Sequence, residues 1–248
     1  MWLQVRRLTG SKRDTAKQDS SAWQIVMADS DLPPGQPRDI DLPSVDEVLG
    51  TARSVRRKLD FERPIPPDVL FDCIDLATQA PIGLGGENWR FLVVTGDEQK
   101  AGIAAIYRRV LQDIERSRGI VLKPTQRALA DRLHEMPAMV FVCVDGVPDT
   151  QLSGQVAFYG SILPAAWSLM LALRARGIGC TWTSLLSSQQ EDVAKVLDIP
   201  VSVTQTVMLP IGYCKGAKLR RAARLPAAEV TYWNRWGGSL VESSADGG

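Results

Sequence analysis

The chain has 248 residues, of which 45% are hydrophobic and 23% charged, and its formal net charge is +1. These values predict a soluble globular protein of one large or two small domains, and they exclude a whole-protein field that would attract nucleic acid or membranes. Four scattered cysteines without a CxxC pair and a single histidine, His134, exclude zinc-type and two-histidine metal sites. We expect the cysteines to be buried thiols in a reducing cytosol, and His134 to be a structural residue at a helix end.

The first 40 residues are predicted to form a flexible arm. The segment DSDLPPGQPRDIDLPS is rich in Pro, Gly and Asp, a composition typical of chain without regular structure. The N-terminus lacks the apolar stretch of a signal peptide, and the most apolar run, SILPAAWSLMLALRARG, is short for a membrane span and contains a proline. We therefore expect a cytoplasmic protein without a membrane partner, with its folded domain over residues 41–248.

Regular elements are predicted from residue 44 onward. SVDEVLGTARSVRRKL is predicted to be a helix with Ser44 as N-cap and Glu47 at the capping-box position, and PPDVLFDCIDLATQAP a second helix. A strand (WRFLVVTG), two helices (GDEQKAGIAAIYRRVLQDIERS and PTQRALADRLHEM) and a strand (PAMVFVCVDG) follow. A long helix, kinked or restarted at Pro164, leads to a short strand (GCTWTSLL), a helix (SQQEDVAKVLDI) and a last strand (TQTVMLPIGY). Because helices and strands mix without strict βαβ alternation, the predicted fold class is α+β.

The long helix predicted over residues 154–177 is apolar on nearly all sides. Ile162, Ala166, Leu169 and Leu173 form one face, while Trp167 and its neighbours make the other sides apolar too. A helix of this kind must be buried on nearly all sides, either in the core or in a subunit interface. We favour both at once, in a homodimer.

Two glycine-rich turns lie between a helix and a strand. Gly83, Gly85 and Gly86 occur in APIGLGGENWRF, and Gly177 and Gly179 in RARGIGCTW. Dinucleotide fingerprints and P-loops need the order strand, glycines, helix, so neither turn is predicted to cradle phosphate. The first turn is either a helix C-cap or bare backbone that approaches a flat ring, and the second is predicted to be a C-cap.

Two basic stretches are candidates for binding a phosphate. Arg53, Ser54 and Arg56 in ARSVRRKL would offer charge and a hydroxyl within one helical turn, which suits a phosphate monoester. A solvated basic helix face is the alternative interpretation. The second stretch, KGAKLRRAARLP, carries Lys218, Arg220, Arg221 and Arg224.

Taken in order, these motifs resemble the FMN-dependent nitroreductase family, and most of all an actinobacterial-type branch. The resemblance rests on the R-S-x-R helix, the APxG…W-[RH]-F-x-V-V segment, the apolar helix ending in LALRARGIG, the TWTS strand, and LPIGY followed by basic residues and EVTYWNRW, from about residue 44 to 236. It implies an interlocked homodimer with a central, mostly antiparallel sheet flanked by helices. It also implies that both subunits bind FMN at their interface and that the C-terminal segment extends over the partner.

The resemblance implies a set of cofactor-binding residues, with no catalytic side chain and no metal. These comprise the phosphate ligands of the R-S-x-R motif and the C-terminal stretch, the segment that the second subunit lays against the flavin, and the strand beside its reactive edge. The set is Arg53, Ser54, Arg56, Ile82, Gly83, Leu84, Gly85, Glu87, Thr183, Ser184, Leu185, Arg220 and Arg224.

The chain departs from the family pattern at three positions. Gly85 and Glu87 stand where the family usually has Asn and Gln, and Lys58 replaces the aromatic residue that normally follows R-S-x-R-x. A carboxylate at Glu87 would disfavour an anionic reduced flavin if it pointed at the ring.

The resemblance implies an oxidoreductase with NAD(P)H as co-substrate. Hydride would pass from NAD(P)H to the flavin and then to a nitroaromatic or quinone-like acceptor, in a ping-pong cycle without a side-chain nucleophile. One alternative is a non-catalytic FMN-binding or storage protein, which the missing Asn and Gln make worth testing. Another is a nucleic-acid-binding protein that uses the basic N-terminal arm and RSVRRK, although the near-neutral net charge disfavours it. We expect no nucleic-acid partner.

Overall fold

The computed structural model describes residues 40–83 and 86–239. The chain divides into two units, Met1–Ile40 and Asp41–Gly248. The predicted N-terminal arm lies outside the described residues, as do Leu84 and Gly85, two of the predicted site residues.

The described part of Asp41–Gly248 contains six α-helices and five β-strands. In chain order they are α1 (Leu42–Thr51), β1 (Leu59–Asp60), α2 (Pro67–Ala77), β2 (Trp89–Val94), α3 (Asp97–Arg118), α4 (Pro124–Arg132), β3 (Ala138–Asp145), α5 (Leu152–Ala175), β4 (Ile178–Cys180), α6 (Gln190–Leu197) and β5 (Val203–Cys214). Short 3-10 helices cover Leu133–Glu135, Leu185–Gln189 and Ala227–Glu229.

The strands form one antiparallel sheet in the order β1-β5-β3-β2, with β4 also paired to β5. Strand β3 lies between β2 and β5 and is buried from Ala138 to Val144. Alternate β3 side chains belong to two hydrophobic clusters on opposite faces of the sheet, Val140 and Val142 to one and Met139 and Phe141 to the other. The first cluster includes α2 and α5, and the second includes α3 and α4. This architecture confirms the predicted α+β class with a central antiparallel sheet.

Helix α5 runs without a break through Pro164 for 24 residues, so the predicted restart at this proline does not occur. Among the described helices, α5 is the one that is long and apolar enough to cross a membrane by length and composition. The sequence-based statement that this run is too short is therefore wrong, because the helix extends further toward the N-terminus. Leu169 and Leu173 of α5 are nevertheless fully buried in the cluster against the sheet, as expected of a core helix.

The start of α1 differs from the sequence-based prediction. Asp41, not Ser44, is the N-cap, and its carboxylate accepts hydrogen bonds from Ser44 N (3.4 Å) and Ser44 Oγ (2.5 Å). Pro43 lies in the first turn, where a residue without an N–H donor is best tolerated, so the helix begins earlier than its apolar spacing suggests.

Candidate functional site

The predicted phosphate-binding residues after α1 lie in extended chain. Helix α1 ends at Thr51, and Ala52 already has an extended conformation (ψ 126°). Ser54 then forms a parallel bridge with Cys180, where Val55 N donates to the Cys180 carbonyl (2.8 Å). The prediction that Arg53, Ser54 and Arg56 share one helical turn is therefore wrong. In an extended segment, side chains do not share one face in the way that they do within a helical turn.

The same segment is hydrogen-bonded to the residues just before Thr183, which belongs to the strand predicted to lie beside the reactive edge of the flavin. Ser54 Oγ accepts a hydrogen bond from Trp182 N (3.1 Å), and Thr181 Oγ1 donates to the Val55 carbonyl (2.8 Å). Trp182 immediately precedes the T-S-L motif, which consists of Thr183, Ser184 and Leu185. The fold therefore brings the R-S-x-R motif beside the T-S-L motif, although about 130 residues separate the two motifs along the chain.

Thr183, Ser184 and Leu185 lie at the end of this connection. Thr183 is buried and pairs with Met208 of β5 through two backbone hydrogen bonds, of 3.2 and 2.9 Å. Ser184 is exposed and precedes the 3-10 helix that starts at Leu185, which is half-buried. The predicted strand GCTWTSLL is therefore β4 followed by a single bridge and a 3-10 helix.

The guanidinium of Arg53 carries an unused donor. Its Nε is buried and has no hydrogen-bond partner among residues 40–83 and 86–239. A buried polar group without a partner costs about 1–3 kcal/mol, and more when it is charged. A phosphate oxygen is a strong acceptor for such a donor, so the residues present fit a phosphate-bearing ligand.

A basic cleft of about 470 Å³ opens on one side of the segment. It is formed by the chain after α1, the start of α4 and the turn after β5. Its lining residues are Ser54, Val55, Arg56, Arg57, Lys58, Thr125, Ala217, Lys218 and Leu219. This lining contains four cationic side chains and no carboxylate, which makes the cleft attractive to anions.

The C-terminal basic stretch returns to α1 through Arg221. All three candidate arginines, Arg220, Arg221 and Arg224, are exposed. Only 2.8 Å separates Arg221 Nε from the position that a Cβ on Gly50 would occupy, so this side chain lies across the last turn of α1, three residues before Arg53. Arg221 belongs to the basic stretch KGAKLRRAARLP but is not among the predicted site residues. The glycine at position 50 is the signal that could have favoured Arg221, because the absence of a side chain there leaves room for the guanidinium.

The first glycine turn is anchored to α5 by Ser161. Gly83 N donates to Ser161 Oγ (3.1 Å), and the same hydroxyl donates to the Ala157 carbonyl (2.9 Å). On the far side of the turn, the indole Nε1 of Trp89 donates to the Ser161 carbonyl (2.8 Å). Sequence reasoning missed Ser161 because these partners are 78 and 72 residues away.

The other described residues of this turn face solvent. Ile82 is 39% exposed, and Glu87 is exposed as well. The carbonyl of Glu87 accepts a long hydrogen bond from Arg90 Nη1 (3.5 Å). Gly86 has φ +78°, a left-handed conformation that reverses the chain before β2 and favours glycine.

The two glycines of the second turn have different roles. Gly177 has φ +72° and donates to the Arg174 carbonyl (3.1 Å), which confirms the predicted C-cap of α5. Gly179 lies within β4, where a Cβ would come within 2.9 Å of the Leu59 and Cys214 side chains. The prediction of a simple cap is therefore wrong for Gly179, which instead allows close packing beside β1.

Within one chain, the phosphate segment (residues 53–56, after α1) and the first glycine turn are anchored to α5 at different places. Arg174 binds Thr51 Oγ1 through Nε (3.1 Å) and Nη2 (2.8 Å), next to the phosphate segment. Gly83 meets the helix at Ser161 instead. With a rise of 1.5 Å per residue, these two anchoring points are about 20 Å apart along the helix axis.

Burial is the main cause of the raised pKa values of one tyrosine and two cysteines in the folded unit. Tyr107 of α3 is buried, and burial raises the pKa of its hydroxyl, against the opposing effects of a hydrogen bond with Thr183 and the charge of Arg56. Burial also raises the pKa of the Cys143 and Cys180 thiols to about 12. Within the described ranges no group of three or more His, Cys, Asp or Glu side chains could hold a metal ion.

Comparison with known proteins places this geometry in a family. YodC of Bacillus subtilis, which carries an NAD(P)H nitroreductase name, is 26% identical over 198 residues, covering 73% of this chain and 95% of YodC. The fold resembles an iodotyrosine deiodinase bound to FMN and 3-iodo-L-tyrosine (TM-score 0.59, 21% identity, 76% of this chain and 98% of the other). It also resembles an NADPH:FMN oxidoreductase of Vibrio harveyi in complex with NAD+ (TM-score 0.60, 16% identity, 77% of each chain).

The family model for the nitroreductase family matches residues 49–213. This range includes the R-S-x-R segment, the first glycine turn, α5 and the T-S-L motif. The chain therefore belongs to the nitroreductase family, a membership that supports flavin-dependent oxidoreduction.

Proposed function

We propose that this protein binds FMN and uses NAD(P)H to reduce small electron-poor acceptors of the nitroaromatic or quinone type. The observation that carries the proposal is the buried Nε of Arg53, which has no hydrogen-bond partner in the described part of the chain and precedes a serine that accepts a hydrogen bond from Trp182 N. When bound, FMN would supply the hydride-transfer chemistry. The tasks of the protein are then to hold the phosphate, border the ring and admit the two substrates in turn.

The phosphate end is assigned to the segment after α1. Arg53 and Arg56 would supply two positive charges for a phosphate dianion. Ser54 Oγ already accepts a hydrogen bond from Trp182 N, so its own proton is free to be donated to a phosphate oxygen. Arg220 and Arg224 stay candidates from the C-terminal stretch, and we add Arg221 because it lies across α1 near Arg53.

The ring end is assigned to two groups of residues. Thr183, Ser184 and Leu185 would border the ring in the chain that holds the phosphate. Ile82, Gly83, Leu84, Gly85 and Glu87 would approach it from a second copy, because within one chain the glycine turn is anchored about 20 Å away along α5.

A homodimer accounts for the apolar surface of one chain. Leu152, Val156 and Trp167 of α5 are 77%, 64% and 40% exposed, and Trp233 and Trp236 of the C-terminal segment are 47% and 90% exposed. The α5 residues are spaced to lie along one stripe of the helix. Several large exposed apolar side chains support an interface, and an interface at α5 would bring the glycine turn of one chain toward the partner. The buried free thiols Cys73, Cys143 and Cys180 support a reducing, cytoplasmic setting.

The proposal is tested by turnover with defined acceptors. FMN-loaded protein should consume NADPH or NADH when menadione or nitrofurazone is present, and initial rates at several acceptor concentrations should give the parallel double-reciprocal lines of a ping-pong cycle. Bound FMN without turnover would favour the storage alternative. Turnover with halogenated tyrosines alone would show that the acceptors are not nitroaromatics or quinones. Salt-sensitive retention on DNA without uptake of FMN would favour nucleic-acid binding.

A further inference from the structure

The basic cleft holds more positive charge than one phosphate needs. Its cationic side chains are Arg56, Arg57, Lys58 and Lys218, and within the described part of the chain none of them forms an ion pair. Arg53 is not part of the lining. If Arg53 and Arg56 neutralise the FMN phosphate, three uncompensated cations remain in the cleft, which suffices for a second phosphate dianion.

Lys58, one of the residues that line this cleft, has an unusual backbone conformation. Its φ is +60°, a left-handed conformation that is uncommon for a residue with a side chain. The Lys58 carbonyl accepts a hydrogen bond from Lys215 N (2.7 Å), and the next residue, Leu59, is buried and paired with Cys214 of β5. Contacts at its carbonyl and at the next residue therefore help to maintain a conformation that costs roughly 1 kcal/mol or more, and such strain often occurs at functional positions.

The position and size of the cleft restrict its ligand. It shares Ser54 with the proposed FMN phosphate site, so an anion bound there lies close to the flavin. A volume of about 470 Å³ falls in the usual range for small-molecule sites and could accept a nucleoside phosphate. The cleft is formed by separate parts of the chain, since Thr125 comes from α4 and Lys218 from the turn after β5.

We infer that this cleft binds the 2′-phosphate of NADPH and thereby makes NADPH the preferred reductant over NADH. The 2′-phosphate is the one group that distinguishes the two nucleotides, and Arg57, Lys58 and Lys218 are the cations left to receive it. The inference rests on the proposed function, because it names the reductant of that site.

The test compares the two reductants in single variants of the FMN-loaded protein. Lys218→Ala removes one cation, and Lys58→Asn removes another while keeping a residue that tolerates the left-handed conformation. Each should lower the ratio of kcat/KM for NADPH to that for NADH by roughly 5- to 20-fold, through KM. Lys218→Glu should lower this ratio further, and raising the ionic strength should raise the KM for NADPH more than that for NADH.

Lys195→Ala is the matched control, because Lys195 is an exposed lysine of α6 that pairs with Asp192 (3.6 Å), away from the cleft. This control should keep the wild-type ratio. Equal effects of Lys218→Ala on both reductants, or a weaker affinity for FMN with an unchanged ratio, would overturn the inference and assign the cleft to the FMN phosphate. Failure of FMN to bind, or of both reductants to reduce it, would overturn the proposed function itself, so the two failures are distinguishable.

Discussion

Replacing Arg53 with alanine is expected to have different effects on the protein with and without FMN. In the free protein, the change removes a buried donor that has no partner among the residues the structure describes, and the burial of such a donor costs about 1–3 kcal/mol. The free energy of unfolding should therefore stay the same or rise, apart from the packing lost with the side-chain stem. With FMN, the change removes a charge-assisted contact worth about 1.5–3 kcal/mol, which corresponds to a roughly 10- to 150-fold higher Kd.

The assay pairs urea denaturation of the FMN-free protein with FMN titration followed by quenching of flavin fluorescence. Arg116→Ala is a suitable control, because Arg116 is an exposed arginine in the last turn of α3, remote in sequence from the phosphate segment. It should change neither quantity by more than a few tenths of a kcal/mol. A large loss of stability in the FMN-free Arg53→Ala protein, together with an unchanged Kd for FMN, would show that Arg53 has a structural role and does not bind the phosphate.

Three further predictions concern stability and assembly. Because burial raises the pKa of Cys143 and Cys180 from 9.0 to about 12, the unfolded chain loses thiol protons first, and the free energy of unfolding should fall as the pH rises from 9 toward 12. Urea denaturation at several pH values between 9 and 12 checks this prediction, and an equally steep fall of the unfolding free energy in Cys143→Ala would contradict it. Trp167→Asp places a charge on the exposed stripe of α5 and should convert a dimer to monomer in size-exclusion chromatography with light scattering, whereas an intact dimer would argue against this interface. Ser161→Ala removes the hydrogen bond from Gly83 N and should lower the free energy of unfolding by about 0.5–1.5 kcal/mol; no change in urea denaturation would mean that this contact does not hold the turn.

The elements of the fold could be predicted because local pattern and tertiary packing agree in most of them. Strand β3 is a short apolar run between turns, and it lies buried at the centre of the sheet. Helix α5 is apolar on nearly all sides, as predicted, and its two halves differ in burial: Leu169 is fully buried, while Leu152 is largely exposed. The prediction failed after Thr51, where helical spacing continues in the sequence but the chain pairs with Cys180 in extended form. Pairing with a distant segment outweighs local propensity there.

The contacts that shape the site depend on distances in sequence that no local pattern encodes. The R-S-x-R and T-S-L motifs were recognised separately, but the hydrogen bond from Trp182 N to Ser54 that joins them spans 128 residues. Ser161 had no distinguishing signal, since a serine within an apolar helix commonly bonds to its own backbone. Arg221 could be separated from its neighbours only once its approach to Gly50 was known.

The central claim, that the chain is a flavin-dependent oxidoreductase reduced by NAD(P)H, is tested most directly by the visible spectrum of the purified protein under anaerobic conditions. We expect flavin absorption bands that bleach on addition of NADPH and return on addition of a quinone or nitroaromatic. Bands that persist with both NADPH and NADH would contradict the catalytic assignment and favour storage. A colourless protein that also fails to take up added FMN would contradict the phosphate site built from Arg53 and Ser54.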